Sequence, residues 1–279
     1  MKNIFILLLS IVIGYSDTIR FSSLPMDKSP KLFEQYSYML RYLEKETGDK
    51  FEFIHSRSYR DLINKFKNGK IDIIELGPLP YIKLKEQYKK AEPFLTFNAK
   101  DGNPYYRCEF VTTEKDINSL LDVDNSKKVI LTRKLSTCGY LMSELMFQDV
   151  DNSLNYLDYI YVETHSNVLI NLLIKENSVG SVKSTILDKY EHFNFKKLAH
   201  SKPIPGFAFI ANKENISKEK IKKIQKAILK LNPLTNDKDK EIVSKWSNNT
   251  KYGAIITKKD AYDVVTKAIK VVKIPKEDK

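Results

Sequence analysis

The amino-acid sequence predicts an α/β fold in which two α/β domains are joined by two crossing strands. Short apolar, β-branched runs alternate with amphipathic segments of helical period, in two series before and after residues 105–112. Such alternation is typical of βαβ units and of a mostly parallel sheet. One further apolar run, 207–211, follows the second series and precedes only helical patterns. We therefore expect lobe 1 to comprise 17–107 and 207–279, with lobe 2, residues 108–206, inserted in it.

Residues 1–16 have the pattern of a secretory signal peptide. A short basic start precedes the run 4–13, which is apolar except at Ser10, and the small residues Gly14 and Ser16 follow. The apolar run is too short to span a bilayer comfortably, and this order of segments is typical of a cleaved leader. We therefore expect cleavage after Ser16 and a soluble, exported protein of the periplasm.

The chain is strongly basic, with 47 lysines and arginines against 35 acidic residues and a formal net charge of +12. The basic residues are scattered along predicted helices and form no dense block with interleaved aromatic residues. Nucleic-acid-binding surfaces have such blocks, so we expect no nucleic-acid partner. The sequence also has no CxxC or HExxH motif and no cluster of histidines with carboxylates, so we expect neither a metal nor a cofactor.

The first series contains three predicted strands, each followed by a helix. The first helix has apolar residues at helical spacing and ends at Gly48, a residue suited to a helix C-terminus. Ser58 is a good N-cap for the second helix, and Gly77 followed by Pro78 opens the third. The predicted strands of this series lie at 17–21, 51–55 and 71–75.

The second series begins after two strands that are separated only by a turn. Those two strands are predicted at 94–97 and 105–112. The strands of the second series are predicted at 129–131, 159–162 and 179–182, and its helices begin at Ser136, Ser166 and Ser184. After the strand at 207–211, isoleucines at helical spacing predict another helix, and the last helix is predicted to start at Lys258. The crossings between the lobes are expected near 105–110 and 204–209.

The turn Ser136-Thr137-Cys138-Gly139 is the first candidate for a functional site. It connects a buried strand to a helix, and Ser136 is a candidate N-cap. Such a turn presents free N–H groups, two hydroxyls and the positive end of a helix dipole, which together suit an anion. From these four residues alone, a plain helix cap with a solvated Thr137 is an equally good interpretation.

Several short motifs, in this order and spacing, resemble the PhnD-type solute-binding proteins, the phosphate, phosphite and phosphonate branch of the bilobed type II periplasmic binding proteins. The resemblance covers essentially the whole mature chain. The matching segments are 42–48, Ser58-Tyr59 with the residues to Ile63, 69–74, 77–81, 136–140, His165-Ser166 and 201–205.

The resemblance implies a protein that closes on a small tetrahedral oxyanion and is not an enzyme. Its implied ligand-binding residues are Tyr59, Tyr106, Ser136, Thr137, Cys138, Gly139 and His165. Family members that bind aminoalkylphosphonates add acidic side chains for the ammonium group, whereas the matching stretches here contain Lys183 and Gly206. Phosphate, phosphite or methylphosphonate is therefore expected rather than an aminophosphonate. The implied protein is a monomer that serves an ABC permease in the inner membrane, or else a sensor that docks on a histidine kinase.

Other interpretations of these residues stay open from the sequence. Tyr59 and His165 could be structural, and Tyr105 could replace Tyr106 as the inward-facing tyrosine. Cys108 and Cys138 could form a disulfide, stay as two inert thiols, or make a soft site for an arsenic oxyanion or a metal. An enzyme with Cys138 as the nucleophile and His165 as the base is a further, disfavoured possibility, because no third orienting residue is evident.

Overall fold

The computed structural model describes residues 18–24 and 30–275. The predicted signal peptide, 1–16, lies outside these residues. Within them, no helix combines the length and the apolar character needed to cross a bilayer.

Strands and helices alternate along most of the chain. In the described residues the strands are β1 (Thr18–Ser23), β2 (Lys50–Phe53), β3 (Ile73–Leu76), β4 (Ala91–Phe97), β5 (Tyr105–Tyr106), β6 (Cys108–Thr112), β7 (Lys128–Leu131), β8 (Asp158–Tyr161), β9 (Ser178–Lys183), β10 (Lys196–His200), β11 (Ile204–Pro205), β12 (Ala208–Asn212) and β13 (Ala254–Ile256). The α-helices are α1 (Pro30–Thr47), α2 (Tyr59–Lys67), α3 (Pro78–Gln87), α4 (Met142–Gln148), α5 (His165–Ile174), α6 (Ser184–Leu187), α7 (Lys218–Leu229), α8 (Asp237–Val243) and α9 (Asp263–Val271).

The strands form two larger mixed sheets and one small one. Among the described residues, the first sheet has the order β13-β4-β12-β3-β1-β2 and the second the order β10-β6-β9-β7-β8. β1 is parallel to β2 and β3, and β7 is parallel to β8 and β9, but β12, β13, β6 and β10 pair in the antiparallel direction. The prediction of mostly parallel sheets is therefore wrong, because only the strands of the repeated βα units pair in the parallel direction.

The crossing segments are short and pair with each other. β5 and β11 form an antiparallel two-stranded sheet in which Tyr106 lies opposite Ile204. The single strand predicted at 105–112 is divided at Arg107, because β5 pairs with β11 while β6 joins the second sheet. A Cβ on Gly206 would lie 2.5 Å from the Phe97 carbonyl oxygen, so glycine lets the second crossing lie against β4. The predicted lobe boundaries fall beside these strands and stay a proposal.

Two predicted helix starts and several missed elements need correction. α5 begins at His165 rather than Ser166, because the Thr164 side chain caps it by accepting from the Asn167 N–H. The last helix begins at Asp263 rather than Lys258. β10, β13 and α8 were not predicted; β10 and β13 are edge strands with few buried residues, so they have no alternating apolar pattern.

The first sheet is covered on both faces. Phe21, Phe209 and Tyr36 pack together on the face covered by α1 and α7, whereas Ile74 and Leu76 face α2 and α3. Burial of these side chains fixes the register of the strands. β1 and β3 are parallel, so their carboxyl ends lie at the same edge of the sheet.

A disulfide bond joins Cys108 to Cys138, with their Cα atoms 5.1 Å apart. Of the three states left open by the sequence, the structure therefore has the disulfide. No free cysteine is present in the described part of the chain. The thiol-based arsenic or metal site and the Cys138 nucleophile are thus wrong for this form, since both sulfur atoms are already bonded.

Loss of this disulfide should lower the free energy of unfolding by about 2–4 kcal/mol, because the bond closes a segment with a sequence separation of 30 and restricts the unfolded chain. Urea denaturation of the Cys108→Ser, Cys138→Ser double variant would measure this loss. Wild-type protein in reductant is the matched control and should unfold at the same midpoint as the variant. Equal wild-type midpoints with and without reductant would contradict the prediction.

Candidate functional site

The turn predicted to bind an anion follows β7 and begins with a π-helical turn, Thr137–Leu141, that continues directly into α4. Ser136 occupies the N-cap position, as predicted, but its side chain makes no capping hydrogen bond. The interpretation of Ser136 as a plain side-chain cap is therefore wrong. Its partly exposed hydroxyl is available for another contact.

Gly139 makes the turn compact. A Cβ at this position would lie 2.3 Å from the Arg133 carbonyl oxygen, which no larger residue could tolerate without a backbone shift. The Gly139 N–H donates to the Ser136 carbonyl at 3.0 Å, and the Ser136 N–H donates to the Arg133 carbonyl at 3.0 Å. Gly139 therefore has a conformational role in the turn, and its predicted contact with a ligand stays a prediction. The Cys138 sulfur is bonded, so its predicted ligand contact would have to come from its main chain.

Thr137 connects this turn to the other lobe. Its buried hydroxyl oxygen accepts a hydrogen bond from the Leu79 N–H at 3.1 Å. α3 begins with Pro78-Leu79-Pro80, and proline has no N–H, so Leu79 carries the one amide proton in the first three helical positions. The structure therefore brings the single free donor at the start of α3 onto the predicted anion turn.

Tyr106 lies beside Thr137 and is 7% exposed, whereas Tyr105 is only partly buried. Tyr106 is therefore the inward-facing residue of this pair. Burial raises the pKa of the Tyr106 phenol, and a hydrogen bond with the Thr137 side chain partly opposes that rise. The phenol consequently keeps its proton at neutral pH and can donate it to an acceptor.

Tyr59 is the first residue of α2, and its hydroxyl donates to the Pro80 carbonyl oxygen at 2.9 Å. This bond ties α2 to the first turn of α3, directly beside Leu79. In this conformation the Tyr59 hydroxyl proton is already in a hydrogen bond within the protein. Direct contact of Tyr59 with a ligand therefore stays a prediction. The contact does place Tyr59 next to the residues that meet at Thr137.

His165 begins α5 and is held by the end of β9. Its Nδ1 atom accepts a hydrogen bond from the Lys183 main-chain N–H at 3.2 Å, so the neutral ring carries its proton on Nε2. Burial, with the positive charge of Lys183 as the second cause, lowers the pKa of His165 to about 3. The direction of this shift could not be obtained from the sequence, and it makes His165 a neutral donor at physiological pH.

Two charged residues that were not predicted as site residues lie near these groups. The Lys183 ammonium lies 4.4 Å from the centre of the Tyr106 ring, and Glu75 is 1% exposed at the end of β3. The Tyr36 hydroxyl donates to Glu75 Oε2. Burial raises the pKa of Glu75 to about 8, while Asn249 and Lys183 oppose that rise. A charged residue near the end of an otherwise apolar strand is the sequence pattern that would have indicated Glu75, whereas β9 also contains two serines and gives no such signal for Lys183.

Contacts thus connect most of the predicted residues. A path runs from Tyr59 through Pro80 and Leu79 to Thr137, and then through Tyr106 and Lys183 to His165. Their roles as ligand-binding residues stay predictions. No group of three or more His, Cys, Asp or Glu side chains suited to a metal occurs within the residues that the structure describes.

The lowered pKa of His165 predicts an acid-dependent loss of stability. Unfolded histidine binds a proton below about pH 6.5, whereas folded His165 stays neutral down to about pH 3, so acid in this window favours unfolding. When the pH is lowered from 7 to 4.5, the free energy of unfolding measured in urea should fall for both proteins. The fall should be larger for wild type than for His165→Asn by about 1–2 kcal/mol. Above pH 7 the difference between the two proteins should be constant. Parallel pH profiles throughout would sink this assignment.

Comparisons with known proteins support the family resemblance. A family model described as "ABC transporter, phosphonate, periplasmic substrate-binding protein" matches residues 21–262. The phosphate-import protein PhnD of Mycolicibacterium smegmatis is 29% identical over 131 residues, which are 46% of this chain. The matched stretch spans 40% of the length of that relative.

Solved structures share the fold. PhnD1 from Prochlorococcus marinus, in complex with methylphosphonate, superposes with a TM-score of 0.72 at 13% identity, covering 91% of this chain and 97% of that one. XAC2383 from Xanthomonas citri bound to ATP has a TM-score of 0.71 at 16% identity, covering 90% and 95% of the two chains. At these identities the likeness shows the fold alone, which is the bilobed periplasmic binding protein fold, and the predicted fold class is confirmed. Because the family model covers nearly the whole described chain, the protein belongs to the family of periplasmic substrate-binding proteins of ABC phosphonate transporters.

Proposed function

We propose that this protein captures a small tetrahedral oxyanion, of phosphate, phosphite or phosphonate type, between its two lobes and delivers it to an ABC importer. The observation that carries the proposal is the meeting of Thr137, Tyr106 and the Leu79 N–H at one point between the lobes. A relative named a phosphate-import protein and a structural neighbour in complex with methylphosphonate support this ligand class.

The donors at this point suit an oxyanion. The Ser136 and Thr137 hydroxyls, the Tyr106 phenol, the Leu79 N–H and the neutral His165 Nε2–H can each donate a hydrogen bond. Hydrogen bonds to charged groups contribute about 1.5–3 kcal/mol each, so a few of them, less the cost of ordering the ligand, give micromolar or tighter binding. A ligand oxygen between the lobes would replace the Thr137 hydroxyl as the acceptor for Leu79.

We also infer where the protein works and with which partner. It is exported through the predicted signal peptide, it is a monomer in the periplasm, and its partner is an ABC permease in the inner membrane. A role as a sensor for a histidine kinase uses the same lobe closure, but no contact of the described residues favours it. The disulfide removes the thiol chemistry on which an arsenic-specific sensor would depend.

Removal of either hydroxyl of the turn should weaken oxyanion binding. In isothermal titration with inorganic phosphate and methylphosphonate, Ser136→Ala and Thr137→Ala should each lose about 1–3 kcal/mol of binding free energy, because each removes one hydrogen bond to the anion. Thr137→Ser keeps the hydroxyl and should bind nearly as well as wild type. Ser126→Ala removes an exposed hydroxyl of the same lobe and is the surface control. Full affinity in both alanine variants would place the anion elsewhere.

Ligand should also close the two lobes. The Leu79 to Thr137 hydrogen bond joins lobe 1 to lobe 2 and gives the closed state one contact that an oxyanion can bridge. Small-angle scattering should therefore give a smaller radius of gyration with saturating phosphate or methylphosphonate than without. The Thr137→Ala variant at the same concentrations should change less. An unchanged wild-type profile under demonstrated saturation would count against a closing cleft.

A further inference from the structure

Lys183 is a charged residue in the proposed site. Oxyanion binding at the Ser136-Thr137 turn, as proposed above, gives it no role. Its ammonium lies between two aromatic rings, 4.4 Å from the centre of Tyr106 and 5.4 Å from the centre of Phe207. No carboxylate of residues 18–24 and 30–275 comes within 4.0 Å of this ammonium. Aromatic faces attract a cation, but they do not neutralise its charge.

The groups around Lys183 offset its positive charge only weakly. Glu75 is the acidic residue that acts on it, but burial raises the pKa of Glu75 to about 8, so this carboxyl is mostly neutral at pH 7. His165 is neutral and Lys189 is positive and exposed. Burial lowers the pKa of Lys183 itself to about 8, which still leaves the ammonium form in excess at pH 7.

Lys183 is also connected to the oxyanion turn. The Tyr106 ring that it covers carries the phenol beside Thr137, and its main-chain N–H holds the His165 ring. A ligand group that extends from the turn past Tyr106 would therefore approach the ammonium. A partly buried charge that is only weakly offset is costly, so a negative group placed there gains more than it would in solvent.

We propose that Lys183 recognises a second negative charge, so that the protein selects oxyanions with two negative charges and rejects those with an ammonium tail. The inference rests on the proposed function, because it assumes that the first charge lies at the Ser136-Thr137 turn. The second charge can come from the dianionic form of the oxyanion itself or from a carboxylate attached to it. Both place a negative oxygen against the same ammonium.

The test compares three probes by isothermal titration at pH 7: inorganic phosphate, phosphonoacetate and 2-aminoethylphosphonate. Wild type should bind phosphate or phosphonoacetate at least about tenfold more tightly than 2-aminoethylphosphonate. Lys183→Met keeps much of the side-chain length without the charge and should reduce that ratio to about threefold or less. Lys183→Arg keeps the charge and should preserve the preference. Lys189→Met removes a neighbouring, exposed charge and is the matched control.

The pattern of loss identifies the source of the second charge. If Lys183→Met binds both phosphate and phosphonoacetate more weakly than wild type, the second charge belongs to the dianionic oxyanion. If only phosphonoacetate is bound more weakly, the second charge belongs to the attached carboxylate. Either pattern supports the inference. The melting temperature of Lys183→Met without ligand tests the alternative that Lys183 only stabilises the fold. A lower melting temperature together with an unchanged ratio of affinities for the three probes would overturn the inference.

Failure of the inference and failure of the proposed function give different results. If Ser136→Ala and Thr137→Ala weaken phosphate binding while Lys183→Met keeps the wild-type ratio, the inference is wrong and the oxyanion function stands. If wild type binds none of the three probes, both are wrong. A wild-type preference for 2-aminoethylphosphonate overturns the inference without any variant, so the test holds even if Lys183→Met does not fold.

Discussion

The hydrogen bond from the Leu79 N–H to the Thr137 hydroxyl is the contact on which the arrangement of the site depends. The two prolines that flank Leu79 remove the other amide protons from the start of α3, so this one donor carries the whole hydrogen-bonding capacity of that helix end. A buried N–H without a partner is costly, and here the partner is the Thr137 hydroxyl, which follows a strand of the second sheet. A ligand oxygen that takes this donor must therefore replace the Thr137 hydroxyl. In the proposed function, lobe closure and anion binding thus depend on one group.

The second feature of the site is the opposition of Glu75 and Lys183 at the carboxyl ends of β3 and β9. Burial shifts both pKa values towards the neutral forms, since desolvation is the largest cause for each, and the charge of each residue acts against the shift of the other. Desolvation outweighs this attraction at both residues and brings both pKa values to about 8, so at pH 7 Glu75 is mostly protonated and Lys183 is mostly charged. Together with a neutral His165, the site is rich in donors and carries net positive charge. Such a site disfavours a ligand that brings its own ammonium group.

The sequence predicted those parts of the fold that depend on neighbouring residues. Ser58 caps α2 as expected, and Gly48 has the positive φ of 73° that ends α1. Elements that depend on distant partners could not be predicted from the sequence. β10 and β13, for example, are defined by pairing at a sheet edge rather than by an apolar repeat. The same distinction applies to the site. The Ser136-Thr137 turn is local and was predicted. The bonded state of Cys138 could be known only from the position of Cys108. The proposed role of Lys183 likewise depends on the positions of Tyr106 and Phe207 and on the absence of a nearby carboxylate among the described residues.

The disulfide and the crossing strands determine which parts of the site move together. Cys138 is bonded to Cys108, the first residue of β6, so the anion turn is fixed covalently to the segment that follows the first crossing. Lys183 lies opposite Cys108 in the register of β9 with β6, and His165 is held by the Lys183 main chain. The turn, the Lys183 main chain and the imidazole are therefore all attached to the second sheet. Leu79 and Glu75 follow or belong to β3 of the first sheet, and Tyr106 lies on the crossing strand β5. If the proposed lobes rotate about the β5 and β11 pair, we expect the distances between these two groups of residues to change more than the distances within each group.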